Sequence, residues 1–414
     1  MKLAHYLYLF LVTLLAATRT QGQGVRPDTA HFDTTGKIHN AEYWSHQRDL
    51  IDLGLLIIKK DPDKRLIRKS DTRFAISAAP SPVFSLETGF GIDITGNAGF
   101  YLDRDSGTNM SSVLASVTGT NNKQLICPIQ SSIWTKGNKY NFVGDWRFYI
   151  FPEQTYGLGG HTTLSDGYDL DYNYIRFYQF ALRKVAKDFY IGPGVTVDYH
   201  FNIQQLGLKA AQVTDYDTYG FSPTSLSSGV ALDVLYDTRK NSINPEGGSV
   251  YANLVVRQNS TYLGSDGNWS SLILDVRKYF SVGHKENVLA FWSYDWLTLA
   301  GNPPYLDLPS TAWDTYDNTG RGYIQSRFRS KNMLDLEGEF RYGILNNGLI
   351  GGVIFANAES FSDMGTNRFE VIAPGAGLGI RIKFNKFSKT NICFDYAWGM
   401  GGSNGLFLNL GEVF

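Results

Sequence analysis

The stretch from Leu334 to Ile344 alternates along its length. Leu334, Leu336, Phe340, Tyr342 and Ile344 fall on one side, and Asp335, Glu337, Glu339 and Arg341 on the other. Period-two alternation sends the two sets to opposite faces of a sheet. An apolar outer face with a charged inner face is the pattern of a transmembrane β-barrel strand, with lipid outside and a polar lumen inside. Upstream lies a polar, aromatic and proline-containing segment, Asn302 to Asn318, followed by Gly320-Arg321-Gly322-Tyr323. A basic residue between glycines, next to a wall carrying three carboxylates, predicts a loop folded into the lumen and held there by charge. Buried charges need partners. The candidate anchoring residues are Asp335, Glu337, Glu339 and Arg341 on the strand that follows, and Arg381 further on.

The rest of the chain supplies the barrel. Sixteen candidate strands run from Arg73–Ala79 and Gly89–Leu102 at the start to Asn391–Trp398 and Gly405–Phe414 at the end. Bacterial single-chain barrels have even strand numbers, and most of these segments reach the ~9–11 residues that cross a bilayer at the usual tilt. The short connections Asn346-Asn347-Gly348, Lys136-Gly137-Asn138-Lys139 and Val282-Gly283-His284 carry the Asn and Gly of tight turns. Long ones are Pro152–Tyr168, Ile203–Leu226, Gly301–Met333 and Ser360–Gly375. In barrels the short turns face the periplasm and the long loops face outside. The expected fold is all-β: a 16-stranded antiparallel transmembrane β-barrel over residues 73–414, with one long loop folded into the lumen.

Met1-Lys2 leads into an apolar stretch, Leu7 to Ala17, and then into small and polar residues through Gly22 and Gly24. A basic start, a short apolar core and a small-residue exit predict a secretory signal peptide over residues 1–22. Its core is shorter than the ~20 apolar residues of a spanning helix, and no later stretch approaches that length. Residues 23–72 are polar and charge-rich, and are expected to form a short periplasmic segment. Within it Ala41–Lys60 reads as an amphipathic helix, because Tyr43, Leu50, Leu53 and Ile57 recur at helical spacings. The 25 Tyr, 26 Phe and 8 Trp suit the two interfacial girdles of an outer-membrane barrel. A net charge of −1 argues against nucleic acid as a partner. Cys127 and Cys393 lie in distant strand-like segments and read as two unpaired thiols. At the end of the sequence Leu406, Leu408, Leu410 and Phe414 share one face of the last strand, interrupted by Glu412. A terminal aromatic on a lipid-facing strand is the assembly signal expected of an outer-membrane protein.

Tyr236-Asp237-Thr238-Arg239, then Asn241, Asn244-Pro245 and Gly247-Gly248, joins two strands through a Pro- and Gly-bearing turn, with Asp237 and Arg239 on the same side. This spacing resembles the D-T-R-x-x-x-x-x-P-x-x-G signature of the bacterial surface antigen family, the BamA/TamA-type outer-membrane assembly factors. Ser85-Leu86-Glu87-Thr88-Gly89 is similar to the S-P-E-T-G that opens that barrel, with Leu for Pro. Gly320-Arg321-Gly322-Tyr323 is similar to the R-G-[FY] tip of its inward-folded loop. Gly377-Leu378-Gly379-Ile380-Arg381 and Glu339-Phe340-Arg341 match its G-x-G-x-R and E-x-R strands. These pieces stand in family order over residues 73–414. Two departures matter. The family's F-x-D-A-G reads Phe355-Ala356-Asn357-Ala358-Glu359, so a neutral Asn replaces an acid. The stretch before the barrel is also too short for even one of the family's periplasmic transport-associated domains, of ~75 residues each, and none is expected.

The resemblance implies a barrel that helps insert or translocate proteins, or lipids, through an openable seam between its first and last strands. Gly89, Gly91, Gly405 and Gly411, with Phe414, are the residues assigned to that seam, where glycine would weaken pairing. The partners implied are outer-membrane lipids and lipopolysaccharide, client outer-membrane proteins and periplasmic accessory proteins. No cofactor and no metal is expected, since the seven His lack metal-ligand spacing. No nucleophile elbow or phosphate loop marks an enzyme. A passive channel, or a structural or adhesion barrel, stands as the alternative. Fractionation tests the address: the protein is expected in the outer membrane of a Gram-negative cell with heat-modifiable gel mobility, and recovery as a soluble periplasmic protein would falsify it.

Overall fold

The computed structural model describes residues 41–66, 74–103, 108–209, 211–283 and 287–414. The expected signal peptide, residues 23–40 of the lead-in, Arg73 and His284 lie outside the described residues. The strands are β1 (Phe74–Ser85), β2 (Gly89–Phe100), β3 (Ser111–Thr120), β4 (Leu125–Trp134), β5 (Tyr140–Ile150), β6 (Glu153–Thr155), β7 (Tyr168–Ala186), β8 (Phe189–Leu206) and β9 (Thr224–Asp237). They continue as β10 (Val250–Asn259), β11 (Trp269–Ser281), β12 (Val288–Gly301), β13 (Asn332–Gly343), β14 (Ile350–Ser362), β15 (Phe369–Asn385), β16 (Thr390–Gly399) and β17 (Asn404–Leu410).

Strands pair antiparallel in sequence order, except that β5 and β6 both pair with β7 and not with each other. The short β6 continues β5 along the edge of β7, so the wall has sixteen staves, as the alternation predicts. Side chains alternate with the pleat. On β13, Asp335, Glu337, Glu339 and Arg341 are buried while Leu336 is exposed, and on β15 Gly375 to Arg381 alternate buried and exposed with Ala376, Leu378 and Ile380 pointing out. The outward set is aliphatic and aromatic on strand after strand, as a lipid-facing wall requires.

One edge stays open. β1 lies beside β17, but among the described residues no ladder joins them; there β1 pairs with β2 alone, and β17 with β16 alone. The first strand runs to Ser85, past the Ala79 expected from sequence, because Pro80 and Pro82 disguise its second half. Two prolines spaced by two remove two N–H donors from the same edge of the strand. The register with β2 runs unbroken through both, from Phe74↔Phe100 to Ser85↔Gly89. The edge short of donors is therefore the one facing β17, and proline in a sheet is confined to such edges. This corrects the seam assignment of Gly89 and Gly91, which lie on β2, one strand in from the seam.

The last strand also differs from expectation. β17 stops at Leu410, Gly411 adopts φ +97°, and Gly411–Phe414 turn into the lumen. Phe414 is buried against Trp292 with ring centroids 5.1 Å apart, and does not face lipid. Left-handed φ is cheap only for glycine, so Gly411 is what allows the chain to leave the sheet.

The lumen is packed. The 302–331 connection between β12 and β13 fills it, and two aromatic clusters form around that loop. Tyr305, Leu306, Leu308 and Trp313 join Tyr149, Tyr172 and Tyr174 of the wall. Tyr323 and Phe328 join Trp292, Tyr294, Phe361 and Phe414. Much of the aromatic content read as interfacial girdles is therefore inside. The Ser360–Gly375 loop shrinks to residues 363–368, because β14 and β15 extend beyond the expected strands. Cys127 on β4 and Cys393 on β16 are free thiols.

The lead-in forms two short helices, α1 (Ala41–His46) and α2 (Leu50–Ile57), in place of one long helix. They dock by charge on the barrel end that carries the β13–β14 and β15–β16 turns, called here the turn end. Lys386 of the β15–β16 turn donates from Nζ to the Trp44 and Gln47 carbonyls, 3.1 Å each, and pairs with Asp52 at 2.9 Å. Arg65 pairs with Asp49 at 2.6 Å and Asp52 at 2.5 Å, and the Arg48 N–H reaches the Asn347 carbonyl at 2.9 Å. Burial alone would raise the Asp49 carboxyl. The Arg65 guanidinium and the backbone N–H groups of Lys386 and Asp52 outweigh it and hold Asp49 below the ordinary aspartate value. A depressed folded pKa contributes stability that is present above the unfolded value and is lost as pH falls through the folded one. Acidification below the ordinary aspartate range is therefore expected to release residues 41–66 before the barrel unfolds. Hydrogen exchange of this segment against pH checks it, and protection unchanged down to barrel unfolding would exclude the charge dock.

Candidate functional site

The lumen loop is ordered by its own backbone. Thr311 N–H donates to the Phe328 carbonyl at 3.0 Å, Ser330 N–H to Pro309 at 3.0 Å, and Asp314 accepts from the N–H groups of Asn318 and Thr319 at 2.7 and 2.8 Å. At its tip Gly320 and Gly322 have φ of +73° and +113°. The turn also needs their bareness. A Cβ on Gly320 would stand 2.5 Å from the Glu359 carboxylate carbon, and one on Gly322 would stand 3.0 Å from the Trp398 carbonyl. The wall makes room in the same way. The inward positions Gly375, Gly377 and Gly379 of β15 lie where a side chain would strike the Arg321 carbonyl, the Phe355 ring and Asp395.

Arg321, 2% exposed, enters this clearing. Its Nη2 donates to Glu337 at 3.2 Å and Glu339 at 2.7 Å, and its Nη1 to Asp395 at 2.9 Å. Its guanidinium carbon lies 3.7 Å from the centre of the Phe355 ring, a stacked cation–π position. The Asn357 side chain, standing where the resembled family has an acid, donates to the Arg321 carbonyl at 2.8 Å. It holds the loop backbone and not the guanidinium. Tyr323 donates to the Pro374 carbonyl at 2.5 Å and accepts from the Met400 N–H at 2.9 Å.

The contacts close into a ring. Arg321 pairs with Glu339, Glu339 with Arg341 at 2.5 Å, Arg341 with Glu412 at 3.6 Å, and Glu412 with Arg381 at 2.8 Å. Arg381 pairs with Asp395, which returns to Arg321. The ring ties the loop to β13, β15, β16 and the segment after β17. Arg341 also donates to the Phe414 main-chain oxygen at 2.5 Å, and Asn318 of the loop donates to the Val413 carbonyl at 2.8 Å. Of the five candidate anchors, Glu337 and Glu339 touch Arg321, while Arg341 and Arg381 act through acids. Asp335 stands apart, with no hydrogen-bond partner for its carboxylate among the described residues. Sequence reasoning missed Asp395 and Glu412. Each had a signal: Asp395 is the one acid in the aromatic alternation Phe394-Asp395-Tyr396, and Glu412 breaks an apolar face.

A second device crosses the turn end. The 238–249 connection joins β9 to β10, the eighth and ninth staves, opposite the seam. Asp237 and Arg239 pair at 2.9 Å, the Thr238 hydroxyl accepts from the Val250 N–H at 2.8 Å, Pro245 is buried, and Gly248 has φ +92°. Beyond this local frame the connection reaches the seam-side strands. Asn241 and Asn244 donate to the Ser388 and Lys389 carbonyls at 2.8 and 3.1 Å, Glu246 pairs with Lys389, and the Glu412 N–H donates to the Ile243 carbonyl at 2.9 Å. At the other end of the seam Leu86 packs over Gly405, with its Cγ 2.6 Å from where a Cβ would stand.

No family model and no curated protein matches this sequence. Solved structures do match in fold. BamA from Haemophilus ducreyi lacking POTRA domains 1–3 superposes with a TM-score of 0.53 at 12% identity, covering 83% of this chain and 71% of that one. CdiB from Acinetobacter baumannii does so with 0.50 at 10% identity, covering 82% and 66%. At such identities the likeness is one of fold alone.

The ring makes Arg321 testable. Removing one partner of a buried ion pair costs roughly 3–5 kcal/mol, falling toward ~0–1 kcal/mol if water reaches the site. Arg321→Ala is expected to loosen the loop more than the barrel, whose ladders it does not touch. Arg321→Lys should not rescue it, because one ammonium cannot match three carboxylates on two strands. External proteolysis of intact cells reads the result as new cleavage between Gly301 and Met333. Equal cleavage in wild type and variant would show that the ring does not hold the loop.

Proposed function

We propose that this protein is an outer-membrane barrel of the BamA type, through whose β1–β17 seam proteins or lipids are inserted or translocated. The observation that carries the reading is the missing ladder between those strands. An unpaired strand edge templates pairing with an incoming strand. β17 contains no proline and keeps every N–H, whereas β1 lacks two donors. On this reading the turn end faces the periplasm of a Gram-negative cell, and lipopolysaccharide and phospholipid surround the wall. Client outer-membrane proteins and periplasmic accessory proteins are the partners. The work is strand pairing and passage, without a catalysed bond change. A passive pore is the weaker reading, because the 302–331 loop and its aromatic clusters occupy the lumen.

The Leu86–Gly405 contact offers a lock. The Leu86 side chain reaches the place where a Gly405 Cβ would stand, so Leu86→Cys with Gly405→Cys, in a Cys127→Ala background, is expected to close the seam by disulfide. Affinity capture from the native outer membrane should recover client chains with the reduced form and lose them with the oxidised form. Identical client sets from both forms would sink lateral passage.

A further inference from the structure

The helix α2 is inside out for a helix docked on a protein. Its only buried residue is Asp52, and every aliphatic side chain of the helix is at least partly at the surface. Leu56, Ile57 and the following Ile58 are 52%, 81% and 58% exposed, side by side in sequence. The polar side of the helix, Asp49 and Asp52, faces Lys386 and Arg65. A surface helix in water shows the reverse arrangement, charges out and aliphatics in. The wall strands share this inversion, and there lipid accounts for it.

Position supports the same solvent. α2 packs against the end of β15, whose last outward side chain is the exposed Phe384. The neighbouring β13–β14 turn, tied to the lead-in through Asn347, carries exposed Ile344 and Leu345. The aliphatic run of α2 thus continues the apolar wall at its turn-end margin. Immediately after it come Lys59 and Lys60, both exposed, where headgroup phosphates would lie.

We propose that α2 is an interfacial helix. Leu56, Ile57 and Ile58 enter the phospholipid leaflet at the turn end of the barrel, and Lys59 and Lys60 bind the phosphates of its headgroups. The inference rests on the reading of the barrel as a membrane protein. Side chains of such helices sit ~5–10 Å into the boundary between headgroups and acyl chains, and basic residues beside them favour anionic lipid. The helix would then fasten the lead-in on two sides, by charge to Lys386 and by aliphatic burial to lipid.

Site-specific fluorescence tests this with the barrel intact. Ile57→Cys, Ile380→Cys and Lys64→Cys are made singly in a Cys127→Ala background, with buried Cys393 left in place, and labelled with an environment-sensitive dye. The proteins are placed in nanodiscs of phosphatidylethanolamine and phosphatidylglycerol, which leave both membrane faces open to solution. The label at 57 is expected to be quenched by nitroxide lipids, more by a shallow than by a deep nitroxide, and to resist aqueous iodide. The label at 380, on the lipid-facing wall, reports that the barrel is inserted, and the label at 64 reports the aqueous limit. If 380 responds to nitroxide lipids while 57 behaves like 64, the inference is overturned with the barrel reading intact, and the face belongs to a protein partner or a second copy. If 380 also ignores the lipids, the membrane reading falls and takes the inference with it.

Discussion

A backbone N–H or C=O turned toward hydrocarbon costs several kcal/mol unless it is hydrogen-bonded. Antiparallel ladders meet that demand between every pair of neighbouring staves except β1 and β17. Much else in the structure limits that exception. β17 is the shortest stave, 7 residues, so few of its groups go unpaired. After Leu410 the chain leaves the wall through Gly411 and finds partners in the lumen. β1 gives up two donors to Pro80 and Pro82, which removes groups that would otherwise need satisfying. Leu86 covers Gly405 where the two strands meet the loops.

The ring of ion pairs is the internal counterpart. Isolated buried pairs often fail to offset the cost of desolvating both ions. Here each charge of the ring has an opposite charge on either side, and Phe355 stacks on Arg321. What such a closed set supplies is placement, since any other position of the loop or of Glu412 strands several charges at once. The loop tip and the segment after β17 therefore share anchors. Displacing either one uncovers the guanidiniums or carboxylates that hold the other.

The barrel was legible because lipid outside and charge inside force a strict period of two, which β13 and β15 show residue by residue. Arg321 was legible through its glycines and the acids of the following strand. The failures have physical causes. Pro80 and Pro82 break the strand signal at the edge where proline is tolerated. The apolar period of the last strand continues in sequence through Phe414, but one left-handed glycine ends it in space. The helical spacing of Tyr43, Leu50, Leu53 and Ile57 is real, yet none of the four is buried, because the lead-in docks through Asp49, Asp52 and Trp44, the last packed on Phe387. Periodicity says which residues share a face and not which solvent that face meets. Aromatics on the wall's inner face escaped notice for the related reason that a lumen filled by a loop buries side chains as a core does.

The 238–249 connection changes what a split in the wall can look like. A cylinder cut along its length opens as a parallel slot. This one is braced at the turn end by a chord that starts opposite the cut and is fastened to one lip, at Ser388, Lys389 and Glu412. All these fastenings lie on the β17 side of the cut, so the chord braces one lip and the two lips differ in stiffness.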